Sequence, residues 1–373
     1  MVKNHRNIPL ARPYFLPNTI ESVKKVLDSG WVTQGPMVSE FEEKFATYIG
    51  SKHAIAVSSG TAALHISLQA FGIEKNDEVI IPDFTFAATG NTVLLRGAKP
   101  VLADIDLRTY CIDPEEARRK ITPKTKAIIP VHGFGHPAPM GELMEIAKEN
   151  ELIVIEDAAP AHGAEFNGKK VGNFGGAGCF SFHPRKIIST GEGGMITTSD
   201  DDVAEKARLI RNHGMSSVKD DDNEFRLPTF KLLGYNYRMS DILAVIGLKQ
   251  LKILDKAIEE RRRLARFYND LISDYGINIT VPEEHGNVKH VYQSYVILFD
   301  KENIRTAVIR ALRGKGIGCT IGSYSLSHLP LYEGSCPNGT KAFNGTLALP
   351  MYKGLEEKDV EYVVKCLEES YHE

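Results

Sequence analysis

Cysteine is scarce in this chain of 373 residues: Cys111, Cys179, Cys319, Cys336 and Cys366 are odd in number and scattered, with no C-x-x-C pair. That spacing offers neither a disulfide framework nor a cysteine metal or redox centre, and it fits a reduced cytosol. Long apolar runs are missing as well. Nowhere do about 18 uninterrupted apolar residues occur, and the opening MVKNHRNIPLARPYF follows its basic residues with no apolar stretch. Neither a membrane span nor a signal peptide is expected, and the cytoplasm is the expected compartment. A surplus of positive charge is the third absence: 45 Lys plus Arg stand against 48 Asp plus Glu, a net charge of -3. Without a global positive field the expected partner is a small molecule, with no nucleic acid and no membrane surface. Hydrophobic residues make up 42% and charged residues 25%. That is enough apolar surface for a real core, and the length predicts one large domain followed by a smaller one.

Asn18 and Glu21, in capping-box spacing, predict a first helix, and a second runs from about Ser39 to Ile49 and stops at Gly50. An alternation then begins. Apolar strands HAIAVS (53–58), EVIIP (78–82), KPVLAD (99–104), KAIIPVH (126–132) and LIVIED (152–157) are separated by helical patterns from Thr61, near 86–96, after Pro114 and near 140–149. CFSF (179–182) and GMITT (194–198) extend the series. Short strands without polar alternation require a sheet covered on both faces, and helical crossovers imply parallel pairing. The expected fold is therefore α/β, a large doubly wound, mostly parallel sheet domain over 1–250 with a smaller C-terminal α/β domain over 251–373. A long helical stretch from about Ser240 to Tyr275 links the two. Beyond it come YQSYVILF (292–299), a helix around 303–316 and a final amphipathic helix near 356–370. The acidic run DDDNE (220–224) reads as a solvated loop.

Four segments could carry chemistry, each following a strand, where open parallel sheets bind ligands. In SSGTAAL (58–64), Gly60 permits a tight turn and Thr61 opens a helix whose free N–H groups suit a phosphate; an ordinary capped turn explains the same residues. In IEDAAPAHGA (155–164), two carboxylates end an apolar strand and must face opposite ways, so one of Glu156 and Asp157 is structural. The other could meet a protonated ring nitrogen, since unit charges about 4 Å apart interact by roughly 4 kcal/mol at an effective dielectric near 20. CFSFHPRKIISTGEGGMITT (179–198) holds Ser181, His183, Arg185 and Lys186 between two strands, and a buried lysine with a lowered pKa can condense with an aldehyde. LGYNYRMSDILA (233–244) places Asn236 and Arg238 among Tyr235, Tyr237 and Met239, as at an interface, or simply as a loop leading into a helix capped by Ser240.

Taken together, these segments resemble the fold-type I pyridoxal phosphate (PLP) enzymes, and within them the DegT/DnrJ/EryC1/StrS sugar aminotransferases. The resemblance runs over nearly the whole chain: G-W-V-T-Q-G-P (30–36), S-S-G-T-A-A-L, P-D-F-T-F-A-A-T (82–89), G-A-K-P-V-L-A-D-I-D (97–106), E-D-A-A, S-F-H-P-R-K, T-G-E-G-G-M (190–195), G-Y-N-Y-R-M and L-A-L-P-M-Y (347–352). It implies that Lys186 carries PLP as a Schiff base, that Asp157 pairs with the pyridinium nitrogen, and that Phe86 stacks on the ring. It further implies that Gly60, Thr61 and Ser181 hold the phosphate and that Asn236 of a neighbouring subunit reaches the same group, which requires a homodimer with shared active sites. One departure stands out: Pro160 occupies the place of a Gln or His that contacts the cofactor's ring hydroxyl in many relatives.

The activity this implies is transfer of an amino group from an amino acid, glutamate being the expected donor, to a ketone of a nucleotide-linked deoxysugar. A keto-cyclitol or other non-nucleotide ketone is the alternative acceptor. A non-catalytic regulator on the same fold should lack the lysine or the aspartate, and relatives that act as dehydratases replace the lysine with His, so Lys186 favours transamination. A cysteine desulfurase-type lyase would need a mobile reactive Cys, and none of the five stands in a recognisable reactive loop.

Overall fold

A computed structural model describes residues 7–216, 227–284, 286–301 and 304–372; the acidic run at 220–224 lies outside them. Among the described residues, strands β1 (His53–Val57), β2 (Glu78–Pro82), β3 (Lys99–Ala103), β4 (Thr125–Ile128), β5 (Ile153–Asp157), β6 (Ala177–Ser181) and β7 (Gly194–Thr198) form one sheet in the order β1-β7-β6-β5-β4-β2-β3. Only β7 runs against its neighbours, pairing antiparallel with β1 and β6, while β3, β2, β4, β5 and β6 pair in parallel. The apolar runs behave as expected. Ile55, Val79, Ile81, Ile129, Ile155 and Ile196 are all buried in one core, because helices cover both faces and no strand can afford a polar side.

Helices α1 (Thr19–Asp28) and α2 (Pro36–Ile49) precede the sheet, and α3 (Gly60–Ala70), α4 (Ala88–Leu95), α5 (Pro114–Arg119) and α6 (Met140–Glu149) make the crossovers. Two expected helix starts are corrected. Asn18 is the residue before α1, but at φ -84°, ψ 10° its side chain caps nothing, since a capping side chain needs an extended backbone to fold back onto the first turn. The second helix begins at Pro36 rather than Ser39, because its free amides are met from far along the chain. The Asp241 carboxylate accepts the N–H groups of Gly35 (2.8 Å), Met37 (3.1 Å) and Val38 (3.0 Å). Gly50 ends α2 at φ 86°, as expected.

After β7 come α7 (Asp201–Ile210), which the sequence pattern did not announce, then α8 (Asp241–Leu251) and α9 (Leu254–Asp274). The single long helix expected from 240 to 275 is thus two, broken where Ile253 leaves helical geometry (φ -112°, ψ 2°) and lets Leu254 turn into the core. The start of α9 (Leu254, Ala257, Ile258) packs with Phe41 and Phe45 of α2. Its later turns (Leu264, Tyr268, Ile272) belong to a second core. That core lies on an antiparallel sheet of β8 (Ile279–Thr280), β9 (Tyr295–Phe299), β10 (Thr320–Ile321) and β11 (Thr346–Leu349), ordered β8-β9-β11-β10. Helices α10 (Ile304–Gly314) and α12 (Glu357–His372) cover it, and α11 (Pro337–Gly345) sits between the sheets' territories. Ile8 joins this second core too, bonded to residues 316 and 318. No helix among the described residues is long and apolar enough to cross a membrane.

Candidate active site

The parallel strands aim their carboxyl ends at one cavity of about 350 Å³, closed on its other side by residues of the second sheet. At the end of β1 the chain turns directly into α3. Ser59 is the cap, its hydroxyl accepting the Ala62 N–H at 3.0 Å. The Gly60 and Thr61 N–H groups, first in the helix, find no acceptor among the described residues and lie on the cavity wall. Gly60 is a steric requirement, because a Cβ there would come within 2.8 Å of the Ser181 Cβ at the end of β6. Ser181 lines the same wall, its hydroxyl accepting the His183 N–H at 3.4 Å. Two amides and a hydroxyl thus converge where a helix dipole favours an anion.

Strand β5 ends in the two carboxylates, and the pleat divides them. Glu156 faces away from the cavity and is fully occupied, accepting the N–H groups of Gly172 (2.7 Å), Phe174 (2.6 Å) and Gly175 (2.9 Å) and the His132 ring at 3.1 Å. Because His132 Nδ1 accepts the Ala138 N–H (2.9 Å), its proton is on Nε2 and the ring donates to Glu156. Asp157 lines the cavity. Its donors are neutral, the Thr89 hydroxyl at 2.8 Å and the Ala159 N–H at 3.2 Å. Burial pushes its carboxyl above the usual range, with those hydrogen bonds and the Lys186 charge pulling the other way. Among the described residues no cation touches it.

Lys186 follows a tight turn in which its N–H bonds the His183 carbonyl at 2.8 Å. The surface it keeps faces the cavity, while protein surrounds it on every other side. Burial pushes its amine down to about 8; Asp157 opposes that shift and Arg185 adds to it. His162 is buried against Phe180 and Phe182, pushed down to about 3 by burial, with the Lys186 charge adding. It is a neutral ring at any ordinary pH.

The model of the DegT/DnrJ/EryC1/StrS aminotransferase family matches residues 16–368. The chain belongs to that family. GDP-perosamine synthase of Caulobacter vibrioides is 40% identical over 369 residues, 97% of this chain and 98% of that protein. Helicobacter pylori PseC, an aminotransferase involved in the biosynthesis of pseudoaminic acid, matches with a TM-score of 0.92 at 27% identity, over 98% of this chain and 100% of that one. The PLP form of Spr1654 from Streptococcus pneumoniae matches at 0.92 and 25% identity, over 98% and 99% of the two chains. The protein is a PLP-dependent aminotransferase of fold type I.

The aminotransferase's cavity fits that cofactor by its own chemistry: two unpartnered amides for an anion, a buried carboxylate without a cation, and a lysine amine held near neutrality. Phe86, 58% exposed, stands at the mouth. Pro160 also lines the cavity and has no N–H to give. Asn236 does not reach the cavity of its own chain; it is exposed on the loop bridged to Asn212. Sequence reasoning missed Thr89, which orients Asp157, although it ends the quoted P-D-F-T-F-A-A-T. It also missed the far wall, Gln293 and Thr320–Tyr324. No spacing signal marks those residues, because only the packing of the second sheet brings them over the first.

Proposed function

We propose that this enzyme transfers an amino group from glutamate to a keto group of a nucleotide-linked deoxysugar. The observation that carries the chemistry is Lys186 and Asp157 sharing one cavity at the N-terminus of α3; similarity to GDP-perosamine synthase and PseC supports a sugar acceptor. The Gly60 and Thr61 amides and the Ser181 hydroxyl would hold the PLP phosphate, and Asn236 of the partner subunit would complete that pocket. Asp157 would ionise against the protonated ring nitrogen, held in orientation by Thr89 and Ala159, and Phe86 would cover the ring. When bound, PLP supplies the electron sink for charge developing on the donor's α-carbon. Lys186 would link to the cofactor at rest. Released by the donor, its Nζ would be the base placed to take the proton from the donor's α-carbon, a role that a pKa of about 8 suits. Leu10, Phe84 and Phe134 add an apolar lining to the same cavity.

The test is a screen of the holoenzyme with glutamate or glutamine against nucleotide-linked keto sugars and keto-cyclitols, reading amine product by mass. Product on a nucleotide-linked sugar is expected. Product on a keto-cyclitol alone would overturn the acceptor assigned here.

A further inference from the structure

A strap of residues 320–325 crosses the mouth of the cavity and is pinned to the large sheet by one buried carboxylate. Asp83, 0% exposed just beyond β2, accepts the Ser325 hydroxyl on Oδ2 (2.6 Å) and the Ser327 N–H on Oδ1 (2.7 Å), while its carbonyl accepts the Leu326 N–H (2.8 Å). Its own N–H is bonded to Ala103 of β3 at 2.9 Å. Beside it the strap pairs antiparallel with the chain leading to Phe86, Tyr324 opposite Thr85 and Ser325 opposite Phe84. Adjacent side chains on such a segment point opposite ways. Anchoring Ser325 inward therefore fixes Tyr324 outward, and a slip of one residue would exchange them.

Tyr324 is 41% exposed, lines the cavity, and has no partner for its hydroxyl among the described residues. Its ring centroid lies 6.4 Å from that of Phe343 (interplanar 30°) and 6.4 Å from that of Phe86 (57°). Tyr324 is the more exposed end of the cavity that Lys186 lines, so an acceptor longer than an amino acid would extend toward it. A rigid aromatic face with a free hydroxyl at its tip suits a pyranose, which offers an apolar C–H face and a rim of hydroxyls. We propose that Tyr324 is the platform against which the sugar ring of the acceptor rests, and that Asp83 is the positioning residue that holds it there. This rests on the sugar-amination reading above.

The test compares steady-state constants of holoenzyme variants on the sugar the wild type accepts. Tyr324→Ala raises the acceptor KM about tenfold while the glutamate KM moves less than about twofold, and Tyr324→Phe falls between Tyr324→Ala and wild type. Asp83→Ala raises the acceptor KM in the wild-type background and adds nothing in the Tyr324→Ala background, since it acts through that ring. Should Asp83→Ala fail to fold, Ser325→Ala, which removes one hydroxyl, shows the same selective rise on its own with an unchanged cofactor spectrum. An unchanged acceptor KM in Tyr324→Ala, an equal rise in both KM values, or additive effects of the pair would each overturn the inference. A wild type that aminates only non-sugar ketones overturns the functional reading and this inference together. One that aminates a sugar equally well in Tyr324→Ala overturns the inference alone.

Discussion

The Lys186 amine titrates near 8 in the folded chain against an ordinary 10.5, chiefly because protein encloses it, and two consequences can be measured without any substrate. The cofactor-free enzyme should take up PLP about tenfold faster per pH unit until about pH 8 and then level off, since only the neutral amine attacks a carbonyl. An absorbance-monitored rate that keeps rising tenfold per unit past pH 8 toward about 10 would refute the shift. Stability moves in the same window. Between about 8 and 10.5 the unfolded chain holds a proton that the folded chain has released, so native stability rises with pH there. Cofactor-free Lys186→Met should therefore melt above wild type at pH 7, by a margin that closes as pH rises toward 10; a constant margin would mean the gain is packing alone. The end of an apolar strand left Glu156 and Asp157 both open, and Lys186 alone was one more polar residue between strands; it was the resemblance, spread over nine segments, that singled out Lys186 and Asp157. Thr89, Asp83 and Tyr324 were not legible, since each matters only through a residue remote in sequence.

Elements were legible in proportion to how local their causes are. The strands of the large sheet stood out because burial on both faces leaves uninterrupted apolar runs, and Gly50 stopped α2 by a purely local backbone preference. The start of α2 was hidden because its cap belongs to the first turn of another helix, with Asp241 meeting Gly35, Met37 and Val38. The split between α8 and α9 was hidden likewise, as tertiary packing of Leu254 overrides an otherwise continuous helical pattern. Asp241→Ala should accordingly cost about 2 kcal/mol in chemical denaturation, the loss expected when buried amides lose a charged acceptor. A loss under about 0.5 kcal/mol would mean that water replaces the carboxylate without penalty.

At the scale of the whole molecule, Asn236 is exposed and absent from its own cavity, and the proposal that it serves a partner's can be tested. Asn236→Ala should weaken PLP retention without unfolding the protein, one hydrogen bond to a charged group being worth about 1.5 to 3 kcal/mol. Mixed with inactive Lys186→Ala chains, it should form heterodimers in which one site keeps Lys186 and receives an intact Asn236, and activity should return. Verified subunit exchange without recovery would make Asn236 an ordinary loop residue. Residues 8–10 also meet segments more than 300 positions further along. Ile8 bonds to Gly316 and Gly318, and Leu10, on the cavity wall, bonds to Met351. A ribosome adding roughly 5–20 residues per second thus leaves the opening segment without its partners for tens of seconds after it emerges. The wall supplied by Thr320–Tyr324, Ala348, Leu349 and Met351 is consequently the part of the pocket that is made last, well after the strands that lead to Asp157 and Lys186.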